Sequence, residues 1–153
     1  MLADVQIDDI GLAALRSRFS GPLLRPGTPT YDDVRRVHNG MIDKRPALIA
    51  RCTGTPDVVD ALRFGVAAGL EIAVRGGGHN VGGRAVCDGG LMIDLSPMKG
   101  IWVEPKQRRA RAQAGVCWGE FNRATQLHGW RPRAERSRAR VSPGSRSAGA
   151  SAT

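Results

Sequence analysis

Three short apolar runs stand out along the chain. They cover residues 47–52 (ALIARC), 70–74 (LEIAV) and 91–95 (LMIDL). Runs of this length that are rich in aliphatic side chains and bounded by turn residues predict buried strands. A helical stretch lies between the first two runs, so we expect a parallel strand–helix–strand unit with a right-handed crossover.

The helix of this unit is predicted by its start, its periodicity and its stop. Thr55 is the expected N-cap, with Pro56 at the first helical position and Asp57 in the first turn. Gly69 suits a C-terminal stop. The apolar positions that recur at helical spacing are Val58, Val59, Leu62 and Val66.

The pattern before residue 46 is less regular. Apolar positions between residues 4 and 19 predict an amphipathic helix, and residues 32–41 predict a second short helix that ends near Asn39-Gly40. Gly21-Pro22 and Pro26-Gly27-Thr28-Pro29 predict a loop between these two helices.

After the third apolar run, residues 100–114 alternate between apolar and polar positions. This alternation predicts a β-hairpin with its turn at residues 105–107. A final helix is expected over residues 118–128, with Trp118, Phe121 and Thr125 on one face. A strand–helix–strand unit followed by an antiparallel meander indicates the α+β class.

Length and charge then divide the chain. The 153 residues suit one domain, and the net charge is +9. Residues 130–153 hold six arginines and one glutamate, have no apolar periodicity, and are therefore expected to be a disordered basic tail. We divide the sequence into an N-terminal helical arm and loop (residues 1–45), a central domain (residues 46–129) and this tail (residues 130–153).

The sequence also bears on compartment and metal binding. No run of about 20 apolar residues predicts a membrane span, and the start has no secretory leader pattern, so a cytoplasmic protein is expected. Cys52, Cys87 and Cys117 are too widely spaced to suggest a disulfide framework or a metal site, and we interpret them as small buried apolar residues.

The most distinctive segment is residues 75–83 (RGGGHNVGG), which follows the second predicted strand. Glycines let backbone N–H groups approach a ligand closely, and such N–H groups bind phosphate oxygens. Arg75 adds a positive charge at the loop entrance. The loop contains neither the Gly-Lys-Ser/Thr of a Walker loop nor a GxGxxG fingerprint that opens a helix.

His79 lies inside this loop, and two interpretations stay open from the residues alone. It is either a loop histidine that hydrogen-bonds a carbonyl group or an imidazole nucleophile that forms a covalent adduct. His38 and His128 lie in no motif and receive no role.

A family resemblance bears on this choice. The segments RGGGHNVGG, CDGGLMIDLSPMKGIWVEP and AGVCWGEFNRATQLHG resemble the flavin domain of the vanillyl-alcohol oxidase/p-cresol methylhydroxylase (PCMH) family, especially its berberine-bridge-enzyme-like oxidases. The resemblance covers nearly all of residues 20–129. It implies an incomplete, N-terminal PCMH-type FAD-binding subdomain. It also implies that His79 carries FAD through the 8α-methyl carbon. The residues implied around the FAD pyrophosphate are Arg75, Gly76, Gly77, Gly78, Asn80 and Gly82.

The function implied by the resemblance is FAD binding by the N-terminal fragment of an oxidoreductase. Such an enzyme oxidises a small organic substrate by hydride transfer to the flavin. The substrate-binding half would lie beyond this chain, so no catalytic acid or base is assigned. Family members continue after residue 129 with a glycine-rich segment, and our hypothesis for the arginine-rich tail is a frameshift near codon 129.

Two alternative functions stay open from the sequence. One is a catalytically inactive fragment or flavin carrier. The other is a nucleic-acid binder that acts through the basic tail, because arginines bind phosphates without sequence specificity. The tail has no lysine and no aromatic residue after Trp130, so nucleic acid is not the expected partner.

Overall fold

The computed structural model describes residues 7–130, and the predictions for residues 1–6 and 131–153 lie outside this range. Within it, the elements in chain order are α1 (Asp9–Arg16), β1 (Leu23–Leu24), α2 (Tyr31–Arg35), β2 (Leu48–Arg51), α3 (Thr55–Ala67), β3 (Ile72–Arg75), β4 (Leu91–Asp94), β5 (Ile101–Glu104), a 3₁₀ turn (Pro105–Gln107), β6 (Arg109–Ala112) and α4 (Trp118–Gln126). These elements confirm the α+β class.

A four-stranded sheet with the order β1-β2-β4-β3 forms the centre of the fold. The three predicted strands pair in parallel, with β4 between β2 and β3. β1 adds an antiparallel edge next to β2, through the partners Leu23–Ala50 and Leu24–Ile49. The sequence predicted a loop here, because a two-residue strand between turns carries no periodicity of its own.

Helices α1 and α3 cover one face of this sheet. The predicted apolar side of α3 is wrong in part, because Val59, Leu62 and Val66 are exposed. The helix instead buries small residues such as Ala61 and Gly65. A β-carbon at residue 65 would lie 2.8 Å from Leu91 Cδ2, so close packing selects small side chains on this side. The buried cluster consists of Ile7, Leu12, Leu15, Phe19, Leu48, Ala50, Cys52, Ala61, Leu70, Leu91, Ile93 and Met98.

The start of α3 also differs in detail from the prediction. The N-cap is Gly54, not Thr55, so no side chain at the N-cap position bonds to the first turn of the helix. The buried carboxylate of Asp57 does the anchoring: it accepts hydrogen bonds from the Ser20 N–H at 2.8 Å and from both the N–H and the hydroxyl of Thr53. Asp57 thereby ties the helix start to the loop after α1.

The second face of the sheet is covered by α2 and by irregular segments. The predicted helix over residues 32–41 is wrong beyond Arg35, because Arg36 takes an extended conformation and Val37 turns into this second cluster. Tyr31 is fully buried, and its hydroxyl donates to the Pro46 carbonyl oxygen at 2.6 Å. The cluster consists of Leu24, Tyr31, Val37, Ile49, Ala85, Val86 and Met92.

The predicted hairpin and final helix are confirmed as a small neighbouring unit. β5 and β6 form their own two-stranded sheet, and α4 packs against it. Phe121 and Thr125 are the buried residues of α4, and Trp118 packs partly buried beside them. The turn between the strands is closed by Arg108, which adopts a left-handed conformation with φ +51°.

Residues 7–45 share the core of the residues that follow. Through α1 and β1 this arm packs on the sheet formed by β2, β3 and β4. Among residues 7–130, none of the helices has the length and apolar character that crossing a bilayer requires.

Candidate functional site

The carboxyl ends of the three parallel strands place three charged residues in register. In the strand register, Arg51 of β2 and Arg75 of β3 lie opposite Asp94 of β4, one on each side. Asp94 is completely buried and accepts from Arg51 Nε at 3.1 Å and from the Ser96 hydroxyl at 2.9 Å. In open sheets with parallel strands, ligands bind outside this carboxyl edge.

Arg75 is a half-buried cation at this edge. Its Nη1 donates to the carbonyl oxygen of Val34, next to the end of α2. Its Nε is buried and has no hydrogen-bond acceptor among residues 7–130. Burial lowers the pKa of Arg75, and the nearby Asp94 carboxylate opposes this effect. The guanidinium therefore has one buried donor that no acceptor among residues 7–130 satisfies.

The glycine-rich loop begins directly after Arg75. Gly76 and Gly78 are buried, whereas Gly77 is exposed. Gly78 has φ +68°, and a β-carbon there would lie 3.2 Å from Arg75 Nε. The backbone N–H groups of Gly77 and Gly78 donate to no other group among the described residues. Free amides and an arginine donor therefore lie within the same turn.

Asn80 and Gly82 lie in the second half of the loop. The Asn80 side-chain oxygen accepts from the Arg84 N–H at 3.1 Å, and the Asn80 carbonyl accepts from the Gly83 N–H at 3.2 Å. Asn80 thus closes a turn of the loop itself. Gly82 is exposed, and a β-carbon there would meet only the Asn80 oxygen, at 3.5 Å.

His79 stands at the centre of the loop and contacts a second histidine. It is half-buried, and its Cδ2 lies 3.0 Å from the position that a β-carbon on Gly77 would take. The rings of His79 and His38 meet edge to face, with centroids 4.8 Å apart and an interplanar angle of 76°. The sequence assigned no role to His38, so the structure adds a residue to the site.

His38 belongs to a segment, residues 38–42, that lies along the glycine loop; we call it the clasp. The His38 N–H donates to the Gly78 carbonyl oxygen at 2.9 Å, and Asn39 Nδ2 donates to the Val81 carbonyl oxygen at 3.3 Å. Ile42 packs against Gly83, whose φ is +68°. The sequence marked Asn39-Gly40 only as the end of a predicted helix, and the long-range contacts of Asn39 leave no local pattern.

Comparison with known proteins identifies the type of domain. The profile of a family described as an FAD binding domain matches residues 46–148, about two thirds of the chain. The chain belongs to this FAD-binding domain family. The resemblance noted in the sequence is thereby confirmed at the level of the family.

Individual relatives of the FAD-binding domain agree with this assignment. The chain is 39% identical over 103 residues to (R)-6-hydroxynicotine oxidase of Paenarthrobacter nicotinovorans, covering 67% of this chain and 22% of that protein. The crystal structure of 6-hydroxy-D-nicotine oxidase from Arthrobacter nicotinovorans superposes with a TM-score of 0.72 at 35% identity, over 74% of this chain and 25% of the other. BBE-like 1 of Physcomitrella patens shares the fold, with a TM-score of 0.71 at 24% identity over 76% and 26% of the two chains. The chain thus spans about a quarter of the length of these relatives.

The residues at the carboxyl edge fit the diphosphate of FAD. A diphosphate needs several N–H donors and positive charge at short range. The N–H groups of Gly77 and Gly78, which donate to no group among the described residues, supply donors within one turn. Arg75, whose Nε has no acceptor there, supplies a further donor and the positive charge. The left-handed Gly78 lets the backbone approach where a side chain would collide with Arg75.

Proposed function

We propose that residues 75–82 bind the diphosphate of FAD and that His79 carries the flavin covalently. The half-buried guanidinium of Arg75, with an unpartnered Nε below the glycine turn, is the observation that carries the first part. In this proposal Gly76, Gly77 and Gly78 contribute backbone amides. Asn80 and Gly82 shape the turn, with Asn80 holding it closed through Arg84.

The second part of the proposal concerns the chemistry of His79. A neutral imidazole nitrogen is a nucleophile, and the 8α-carbon of bound FAD would become its electrophilic partner after losing a proton. The bond formed would join the imidazole nitrogen to this carbon. The carbon and the nitrogen would each lose one proton. The two electrons left on the flavin would pass to dioxygen, which takes up the two protons to become hydrogen peroxide, so atoms and electrons balance.

The cofactor and the relatives support a proposal for the parent activity. Flavin accepts a hydride from an organic substrate, while the protein binds and orients the cofactor. Relatives of the chain are described as oxidases and FAD-linked oxidoreductases. We propose that the complete protein oxidises a small organic molecule, and that this chain supplies the wall of the flavin site that holds the diphosphate.

The covalent link is tested by acid precipitation. The chain is incubated with FAD in air, precipitated with trichloroacetic acid, washed and examined for flavin fluorescence. We expect fluorescence in the unsubstituted chain and none after His79→Ala. His128→Ala is the matched control, because His128 is exposed and lies beyond the end of α4. If the His79→Ala protein stays fluorescent after washing, His79 is not the attachment site.

The diphosphate site is tested with Arg75→Gln. A hydrogen bond to a charged group contributes about 1.5–3 kcal/mol, which corresponds to a loss of about tenfold to a hundredfold in non-covalent FAD affinity. The assay is quenching of flavin fluorescence on the His79→Ala background, which removes attachment. Arg63→Gln makes the same charge change on the exposed side of α3 and should leave the Kd unaltered. Equal effects of the two substitutions would refute a specific diphosphate contact.

A flavin carrier without catalysis is the second candidate function, and it shares the same site. The chain covers only about a quarter of the length of its relatives, so flavin binding and substrate turnover can be measured separately. Stoichiometric covalent flavin that no added alcohol or amine substrate reduces would favour the carrier. Bleaching of the flavin by a substrate under anaerobic conditions would favour the oxidase.

A further inference from the structure

The contact between His38 and His79 brings together two segments that lie 41 positions apart in the sequence. The two rings meet edge to face at 4.8 Å and 76°. Aromatic rings prefer this arrangement because the positive edge of one faces the negative face of the other. His38 is exposed and His79 is half-buried, so the ring of His38 covers the His79 ring from the solvent side.

The backbone beneath His38 is fixed on both sides. Its own N–H donates to the Gly78 carbonyl oxygen at 2.9 Å. Val37, immediately before it, is buried in the cluster behind the sheet, and the side chain of Asn39, immediately after it, donates to the Val81 carbonyl oxygen. The ring of His38 therefore starts from an anchored position, although the side chain itself is exposed.

We propose that His38 is a positioning residue for the attachment of flavin to His79. This inference rests on the covalent link proposed above. Attachment requires one imidazole nitrogen of His79 to point at the 8α-carbon while the diphosphate is held by the loop. The His38 ring restricts rotation of the His79 ring about its side-chain bonds, so fewer of its orientations are unproductive.

The bond-forming step itself is unchanged by this role. In that step the His79 nitrogen would bond to the 8α-carbon, each of these atoms would lose one proton, and dioxygen would take up both protons and the two electrons left on the flavin to become hydrogen peroxide. His38 gains and loses no atom. Its contribution is orientation by ring contact, so another aromatic ring at this position should replace it.

The first test needs no cofactor. His38→Phe keeps a ring at the contact, and His38→Leu has similar bulk without a ring. In ¹H–¹³C NMR spectra of the chain without FAD, the ring signals of His79 are assigned by their loss in His79→Ala. We expect His38→Leu to shift these signals through loss of the ring current, and His38→Phe to keep them displaced from the positions seen in His38→Leu. Identical His79 signals in all proteins would show that no ring contact exists in solution and would overturn the inference.

The second test measures the rate of covalent incorporation. Acid-precipitable flavin is followed with time at saturating FAD in air. An edge-to-face pair corresponds to about a threefold to tenfold change in rate, so His38→Leu should be slower by that factor. His38→Phe should restore most of the rate. On the His79→Ala background the ring pair is absent, so the non-covalent Kd and the melting temperature should be similar in both variants.

The outcomes of these tests distinguish the role of His38 from the covalent link through His79 on which it rests. Incorporation at equal rates in the unsubstituted chain and in both variants would overturn the role of His38 and leave the covalent link intact. Equal slowing in the two variants would also overturn it, because a ring would then not be what matters. If the unsubstituted chain acquires no covalent flavin, both the link and the role of His38 are wrong.

Discussion

Replacing Gly78 by alanine perturbs the loop in two ways. The residue has φ +68°, a conformation that costs an L-amino acid about 1–2 kcal/mol. The added β-carbon would also lie 3.2 Å from Nε of Arg75 and 3.7 Å from its Cζ, so the guanidinium must move by a few tenths of an ångström. We expect the free energy of unfolding to fall by about 1–2 kcal/mol and FAD affinity to fall as well.

Two other glycines separate these effects. Gly69, after α3, has φ +62°, and a β-carbon there would meet no atom within 4 Å, so Gly69→Ala carries the backbone cost alone. Gly82 has no positive φ, and its β-carbon would meet only the Asn80 oxygen at 3.5 Å, so Gly82→Ala adds a methyl group to the loop without strain. Together the three variants distinguish backbone strain, loop bulk and displacement of Arg75.

The assays are urea unfolding and titration of non-covalent FAD binding on the His79→Ala background. Gly78→Ala and Gly69→Ala should lose similar stability, and Gly82→Ala should lose little. Only Gly78→Ala should weaken FAD binding, by about tenfold, which corresponds to one impaired charged hydrogen bond. If Gly78→Ala binds FAD as tightly as Gly69→Ala does, the approach of the backbone to Arg75 is not part of the binding site.

Two further predictions concern the scaffold. Burial alone would raise the pKa of Asp57, but hydrogen bonds from the backbone N–H groups of Ser20, Thr53 and Gly54 and from the Thr53 hydroxyl outweigh it and hold the pKa below its unperturbed value of 3.8. Asp57→Asn should therefore lower the free energy of unfolding by about 2 kcal/mol at pH 7. Because the folded-state pKa is depressed, this contribution is present above pH 3.8 and is lost as the pH falls through the folded-state pKa, so urea unfolding at several pH values should show the two proteins converging in acid. Burial raises the pKa of the Cys52 thiol to about 12 and of the Cys87 thiol to about 11, so iodoacetamide at pH 8 should label only the half-buried Cys117 in the native chain, and mass spectrometry that finds Cys52 labelled at the same rate would contradict the buried environment.

The sheet and the glycine loop were predictable because their patterns are local. Each parallel strand is an apolar run bounded by turn residues, a pattern typical of strands in parallel sheets. Strands β2 and β4 are buried as this pattern predicts, whereas β3, at the edge of the sheet, leaves Val74 45% exposed. The loop at residues 75–83 is marked by five glycines directly after a strand. The hairpin could be predicted because alternation over residues 100–114 repeats every two residues, as its register confirms.

The structure differs from the sequence predictions where tertiary contacts outweigh the local preference of the chain. Helix α2 stops at Arg35 because Val37 is buried behind the sheet and the His38 N–H bonds to the glycine loop. The apolar residues of α3 do recur at helical spacing, but close contact with β4 requires the face that carries the small residues Ala61 and Gly65. In both cases the decisive partner is distant in the sequence, so a window of neighbouring residues contains no trace of it.

The glycine loop is held in part by residues that lie outside the range matched by the family profile. The family match starts at residue 46, yet the clasp (residues 38–42) lies before that boundary and holds the glycine loop through His38, Asn39 and Ile42. The carbonyl oxygen that accepts from Arg75 also comes from the arm, at Val34. The loop is therefore fixed from two directions, by the strand from which it emerges and by the arm that crosses it. Because glycine-rich backbone has little rigidity of its own, we infer that the arm supplies the preorganisation that the loop lacks.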